Sequence, residues 1–123
     1  MEECIMLIKI EKKEYQCRFG IKFNTTLDNV YSQSMQNGVT FGTGIEMAVS
    51  YLQNENVTAV QNVLMASLSH LKTKPSNEDL EDYIEEKVVE LGENGVKKLC
   101  DEIVGEMTES PLISAKVKTI TKA

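Results

Sequence analysis

The sequence predicts an α+β protein, mainly α, in which an N-terminal β-hairpin is followed by about five short amphipathic helices. Three observations predict this class. Apolar and polar residues alternate near the N-terminus, which is typical of strands. Farther along the chain, apolar residues recur at spacings of three and four, which is typical of helices. Residues 57–71 carry no charged side chain and have a wide apolar face, which indicates a central core helix covered by the other elements.

The length and composition suit one globular domain. The chain has 123 residues, of which 41% are apolar and 26% charged, enough to bury a core. We expect a single domain over residues 1–111, with the hairpin at about 4–20 and the helices at about 25–108. Residues 112–123 carry three lysines and no acidic residue. They are interpreted as a basic C-terminal tail that is either flexible or forms a late strand.

The hairpin is the first element. Residues 5–10 alternate weakly, with either Leu7 or Ile8 on the apolar face, and residues 15–19 alternate more clearly. The charged residues 11–14 connect the two runs. Because a two-stranded hairpin is marginal in water, it is expected to pack on helices or to pair with another chain.

Two helices are predicted before the central one. The first is expected to be capped by Thr25 or Thr26 and to end at the turn formed by Asn37 and Gly38. A turn at residues 41–44 then opens a short second helix. Its Gly-Thr-Gly sequence lacks the third glycine of a dinucleotide-binding loop, so a flexible turn is the favoured interpretation over a phosphate cradle.

The central helix is predicted over residues 57–71. At about 1.5 Å per residue it would span roughly 22 Å, which is short of the ~30 Å core of a bilayer, so no membrane partner is expected. Its last turn would hold His70, the only histidine, whose protonated ring would interact favourably with the negative C-terminal end of the helix. Ser76 is predicted to cap the next helix. The turn at residues 94–95 separates that helix from a final amphipathic one.

The charge is unevenly distributed along the chain. The net charge is −6, and residues 78–109 alone carry a net −9, whereas residues 1–23 carry five basic and four acidic side chains. An acidic surface repels nucleic-acid phosphates, so no nucleic-acid partner is expected. The first residues do not combine a basic with an apolar segment, so no secretory signal is expected.

The three cysteines indicate a reduced protein. Cys4, Cys17 and Cys100 are odd in number and widely spaced, and there is no Cys-x-x-Cys pair. With a single histidine, a four-ligand zinc site would need every candidate ligand at once. We therefore predict semi-buried thiols, no metal ligands and no cofactor.

One constellation could carry chemistry. Glu78 and Glu81 have the Glu-x-x-Glu spacing used by all-helical magnesium-dependent nucleotide pyrophosphohydrolases, which hold the metal in an interior groove. At about 100° per residue, however, the apolar residues of this helix share one side, and most carboxylates fall on the opposite, solvent-facing side. We therefore predict no catalytic residues. This enzyme class is one alternative, and a small acidic adaptor or inhibitor of a basic protein is the other.

The order of motifs resembles the tail assembly chaperones of long-tailed phages and prophages of Gram-positive bacteria. The resemblance covers about residues 5–110, and its motifs are structural rather than chemical. Besides the uncharged central helix, the matching motifs are Ile8-Lys9-Ile10, Lys13-Glu14-Tyr15, Cys17-Arg18-Phe19-Gly20-Ile21-Lys22-Phe23, Leu27, Phe41-Gly42-Thr43-Gly44-Ile45, Tyr51-Leu52, Lys74-Pro75-Ser76 with Asp79, and Glu81-Asp82-Tyr83-Ile84.

The resemblance implies a non-catalytic assembly factor of the host cytoplasm that is absent from the mature virion. Such chaperones coat the helical, aggregation-prone tape measure protein and help recruit tail tube subunits around it. A homo-oligomer is expected.

Five residues are candidates for partner binding. Val60, Leu64 and Leu68 lie on the apolar stripe of the central helix, and Lys116 and Lys118 lie in the basic tail. A helical client would bind through such an apolar stripe. The core of the monomer is the favoured place for the three apolar residues. The alternative is a stripe that only a client or a second copy covers.

Overall fold

A β-hairpin followed by five helices makes up most of the chain, which confirms the α+β, mainly α prediction. The computed structural model describes residues 5–34, 40–42, 44–110 and 113. Its elements are, in order, β1 (Ile5–Ile10), β2 (Lys13–Arg18), α1 (Ile21–Val30), β3 (Ser32–Ser34), β4 (Thr40–Gly42), α2 (Gly44–Gln53), α3 (Val57–Ser67), α4 (Asn77–Leu91) and α5 (Gly95–Thr108).

The hairpin closes through a two-residue turn. β1 and β2 pair antiparallel, and the turn residues Glu11 and Lys12 have φ angles of 57° and 92°. Two successive left-handed residues form the type I′ turn, whose twist suits a hairpin. The strand pattern also decides between the two candidates for the apolar face, because Ile8 is 1% exposed and Leu7 is 56% exposed.

The first helix, α1, begins earlier than predicted. Its N-cap is Gly20, and Thr25 and Thr26 lie inside the helix, so the predicted threonine cap is wrong. The early start brings the Phe23 ring edge-on to Phe19, with 5.0 Å between the ring centroids, and buries both rings. Burial of two aromatic side chains outweighs a local capping preference of about 1 kcal/mol.

The same helix also ends earlier than predicted. It stops at Val30, and the chain enters β3, which pairs antiparallel with β4, so the predicted end at residues 37–38 is wrong. The ring of Tyr31 lies 5.6 Å from that of Tyr51, and its hydroxyl accepts a hydrogen bond from Asn62 Nδ2 at 3.0 Å. These contacts with α2 and α3 hold Tyr31 where the helix ends.

The third helix, α3, lies at the centre of the core, as predicted. It contacts each of the other four helices and β2. The Asn56 side chain caps its start by accepting a hydrogen bond from the backbone N–H of Ala59 at 2.9 Å. The buried side chains of the helix are Ala59, Val60, Val63, Leu64, Ala66 and Ser67.

The C-terminal end of α3 differs from the prediction of a helix over residues 57–71. The helix ends at Ser67, with Leu68 at the C-cap. The hydroxyls of Ser67 and Ser69 each donate to the backbone oxygen three residues earlier, at 2.6 Å. Such bonds compete with the backbone hydrogen bonds that would continue the helix. His70 therefore lies beyond α3, and its predicted place in the last turn of a helix is wrong.

The last two helices follow the predicted pattern. Ser76 Oγ accepts a hydrogen bond from the backbone N–H of Asp79 at 3.0 Å, which confirms the cap of α4. Leu80 and Ile84 are the buried side chains of that helix. α4 and α5 pack against each other, and the side chains that α5 buries are Leu99, Cys100, Ile103 and Met107.

The end of α5 is bonded to the end of the hairpin. Ser110 Oγ donates to the backbone oxygen of Phe19 at 2.7 Å, and this bond is buried. Ile113, beyond the expected domain boundary at residue 111, is 1% exposed. Of the helices described, none has the length and apolarity needed to cross a membrane.

Candidate binding surfaces

The three apolar residues predicted for partner binding, two within α3 and one at its C-cap, lie inside the monomer. Val60 is 1% exposed, and Leu64 and Leu68 are 0% exposed. The other four helices and β2 contact α3 and cover this stripe. The two tail residues of the same prediction, Lys116 and Lys118, lie outside the described residues. Of the predicted set, the three described residues thus share one buried stripe.

The acidic side of α4 faces solvent, as the helical pattern predicts. Glu78 and Glu81 are both exposed, and so are Asp82, Glu85, Glu86 and Glu90. Exposed carboxylates at this spacing lack the enclosed groove in which a metal would meet substrate phosphates. Among the residues that the structure describes, no three histidine, cysteine, aspartate or glutamate side chains are grouped so that they could hold a metal ion.

Two cysteine thiols are buried more completely than predicted. Cys17 is 0% exposed, Cys100 is 1% exposed, and both are free. Burial raises the pKa of each thiol to about 11, although a hydrogen bond with Ser67 partly opposes the shift at Cys17. Thiols with such a pKa stay protonated near neutral pH and are poor nucleophiles. Cys4 lies outside the described residues.

His70 bonds the turn after α3 to the hairpin. Its Nε2 lies 2.7 Å from the backbone oxygen of Gln16, which can only accept, so Nε2 carries the proton. The bond fixes the position of the turn beside β2. Residues 71–73 of this turn form one wall of a surface groove.

A groove of about 500 Å³ lies between the hairpin and the turn after α3. Its lining is Leu7, Lys13, Glu14, Tyr15, Gln16, Leu71, Lys72 and Thr73. The apolar part comes from Leu7, Tyr15 and Leu71, and charged side chains lie beside it. Lys13 Nζ lies 5.5 Å from the centre of the Tyr15 ring, close enough for a cation–π contact.

Sequence reasoning missed this groove. The weak alternation of residues 5–10 left open whether Leu7 or Ile8 faces outward, and a continuous helix to residue 71 would have placed Leu71 and Thr73 elsewhere. The turn type offered one signal, since a two-residue loop with Lys13 directly after it places Leu7 opposite Gln16. The contact between this strand face and residues 71–73 depends on tertiary packing.

Comparison with known proteins places the chain in a family. The family model for the phage tail assembly chaperone protein, TAC, matches residues 7–122. The chain belongs to the phage tail assembly chaperone family. This family has a non-enzymatic role and acts in the host during tail assembly. Neither the curated proteins nor the solved structures compared with this chaperone include a match.

Proposed function

We propose that this tail assembly chaperone binds the tape measure protein and helps recruit tail tube subunits during tail assembly, without catalysing a reaction. The family match over residues 7–122 is the observation that carries this proposal. We further propose that the protein works as a homo-oligomer in the host cytoplasm and is absent from the mature virion.

The groove beside β2 is the proposed contact for the tape measure protein. A helical client presents an apolar stripe flanked by polar side chains, and it is bound by grooves with the same arrangement. Leu7, Tyr15 and Leu71 supply the apolar lining, and Lys13 and Lys72 supply charge beside it. A volume of about 500 Å³ is enough for several side chains of one helix face.

The five residues predicted for partner binding from the sequence have different roles in this proposal. Val60, Leu64 and Leu68 are covered by the chain itself, so a client could contact them only after the helices around α3 separate. Contact at the groove needs no such opening. Lys116 and Lys118 are kept as the proposed contacts for the tail tube protein.

Co-expression with the tape measure protein tests the proposal. The wild-type chaperone should keep the tape measure protein soluble and co-purify with it. Thr73→Trp fills the groove from an exposed position and should lower the co-purified client by about tenfold, which corresponds to the loss of roughly 1.4 kcal/mol.

Thr58→Trp is the matched control, because Thr58 is also exposed but lies in the first turn of α3 and not in the groove lining. A tape measure protein that stays insoluble and unbound would contradict the proposed function. Equal binding by the Thr73 and Thr58 variants would contradict the groove as the contact.

A further inference from the structure

The outer edge of β1 carries backbone groups that the hairpin does not use. In a hairpin with a two-residue turn, Ile10 and Lys13 beside the turn form a hydrogen-bonded pair, and such pairs alternate along the strands. Ile8 therefore bonds to β2, whereas the N–H and C=O of Leu7 and Lys9 point away from it. Within the described part of the chain, no residue hydrogen-bonds to these outward groups.

The outer edge of β2, in contrast, is partly covered. Gln16 lies directly opposite Leu7, so its backbone groups also point outward. The Gln16 carbonyl accepts the hydrogen bond from His70. Each strand also contacts a helix, β1 with α4 and β2 with α3, so the hydrogen bond is what distinguishes the two edges. Among the described residues, His70 bonds to the outer edge of β2 and none bonds to that of β1. An open strand edge is a template for pairing with another strand.

We propose that two copies of this protein pair antiparallel through their β1 edges, with Leu7 of one copy opposite Leu7 of the other, and form a four-stranded sheet. The outward groups belong to the odd-numbered positions of β1. A two-fold axis beside Leu7 places these groups against the same groups of the second copy, as a closed dimer requires. The two Leu7 side chains, each 56% exposed in the monomer, become an apolar cross-strand pair.

The self-complementary order of the outward groups favours a second copy as the occupant, and charge favours this surface and this register. Residues 5–18 carry four basic and two acidic side chains, whereas residues 78–109 carry a net −9. A contact through β1 therefore joins two copies at a segment without the acidic excess that would repel them. An axis beside Lys9 would place two lysines opposite each other, whereas an axis beside Leu7 places Lys9 opposite position 5 of the second copy.

This pairing names the surface through which the proposed homo-oligomer forms, so it rests on the part of the proposed function that makes the protein an oligomer. Its test uses the chaperone alone, so the pairing can fail while tape measure binding holds, and the reverse can also occur.

Cysteine cross-linking of the full-length chain in a Cys4→Ser background tests the register. Leu7→Cys should give a disulfide-linked dimer on mild oxidation, because facing residues of a hydrogen-bonded pair have Cα atoms about 5.5 Å apart. Gln16→Cys is the control, since it lies on the same exposed face one strand away from the new interface. Its two copies would be about 14 Å apart, too far for a disulfide.

Light scattering on the purified chaperone tests the edge itself. The wild-type protein should have the mass of a dimer. Lys9→Pro removes an N–H to which no described residue bonds. It should shift the protein to the monomer mass with an unchanged circular dichroism spectrum. Glu14→Pro is the matched control, because Glu14 lies opposite Lys9 in the hairpin and its N–H points to the other edge. The Glu14→Pro protein should therefore remain a dimer.

Three outcomes would overturn the proposal. The first is a dimer that persists in the Lys9→Pro variant, which would mean that another surface joins the copies. The second is a Leu7→Cys protein that cross-links no better than Gln16→Cys. The third is a wild-type protein with the mass of a monomer. If Lys9→Pro then also loses client binding, a client strand is the occupant of the edge.

Discussion

The backbone N–H of Gly44 donates a hydrogen bond to Asp28 Oδ1 at 2.9 Å, where the start of α2 meets α1. A Cβ atom at position 44 would collide with the backbone carbon of Leu27 and would lie 2.5 Å from the backbone nitrogen of Asp28. Both obstacles are backbone atoms, which cannot rotate away as a flexible side chain can. The second glycine of the Gly-Thr-Gly turn, Gly44, is thus explained by the close packing of α1 and α2.

Gly44→Ala is expected to destabilise the fold by roughly 1–3 kcal/mol or more, because α1 and α2 must move apart to admit the methyl group. Gly105→Ala is the control. Its Cβ would meet no atom within 4 Å, and it lies within α5, so alanine should stabilise the helix by about 0.5–1 kcal/mol. Urea unfolding measures both changes. A Gly44→Ala protein as stable as the wild type would contradict the close contact.

Leu64→Asp is expected to unfold the whole protein. Leu64 is 0% exposed and belongs to the cluster of buried apolar side chains, so a carboxylate there would lose its hydration. Val57→Asp places the same side chain at the exposed start of the same helix, where a negative charge is favourable, so that protein should stay folded.

Circular dichroism and urea unfolding distinguish these outcomes at α3. A folded Leu64→Asp protein that has lost only its partner would instead place Leu64 on a shared surface, as the sequence-based alternative requires. The same comparison extends to Val60 and Leu68, which are also buried.

Raising the pH from 9 to 11 is expected to lower the free energy of unfolding. The thiols of Cys17 and Cys100 have pKa values of about 11 in the folded chain against an ordinary value of 9.0. In this window the unfolded chain loses its thiol protons while the folded chain keeps them, so stability falls as the pH rises. The contribution of the thiols is complete below pH 9 and is lost by about pH 11.

Urea midpoints at several pH values measure this dependence. A Cys17→Ala, Cys100→Ala protein will be less stable at neutral pH, because two buried side chains are shortened. Its midpoint should nevertheless fall less steeply between pH 9 and 11 than that of the wild type. Parallel declines in the two proteins would show that the thiols do not carry the effect.

Local patterns in the sequence were enough to predict several features. Ser76 caps α4 as expected, the stripe containing Leu80 and Ile84 is buried, and the carboxylates of α4 face solvent. These features depend on residues close together in the chain, so periodicity and capping chemistry report them directly. The family resemblance also follows from the order of such local motifs, and the match over residues 7–122 confirms it.

The predictions that were wrong concern helix boundaries where particular side-chain contacts outweigh the local preference. Thr25 and Thr26 have good capping chemistry, but Phe19 and Phe23 pack together and start α1 earlier. Tyr31 suits the helical pattern, but its contacts with Tyr51 and Asn62 lie where α1 ends. Because burial of a large side chain outweighs a local preference of about 1 kcal/mol, side-chain packing decided these boundaries.

The sequence by itself determined the class of the fold, the central place of the uncharged helix and the exposure of most α4 carboxylates. Only the tertiary structure decided which surfaces are open. Val60, Leu64 and Leu68 are enclosed, while Leu7 is exposed beside a groove, on a strand edge that pairs with no other described strand. The physical reason is that hydrophobicity makes a side chain suitable for burial, whereas its exposure depends on which other elements are long enough and close enough to cover it.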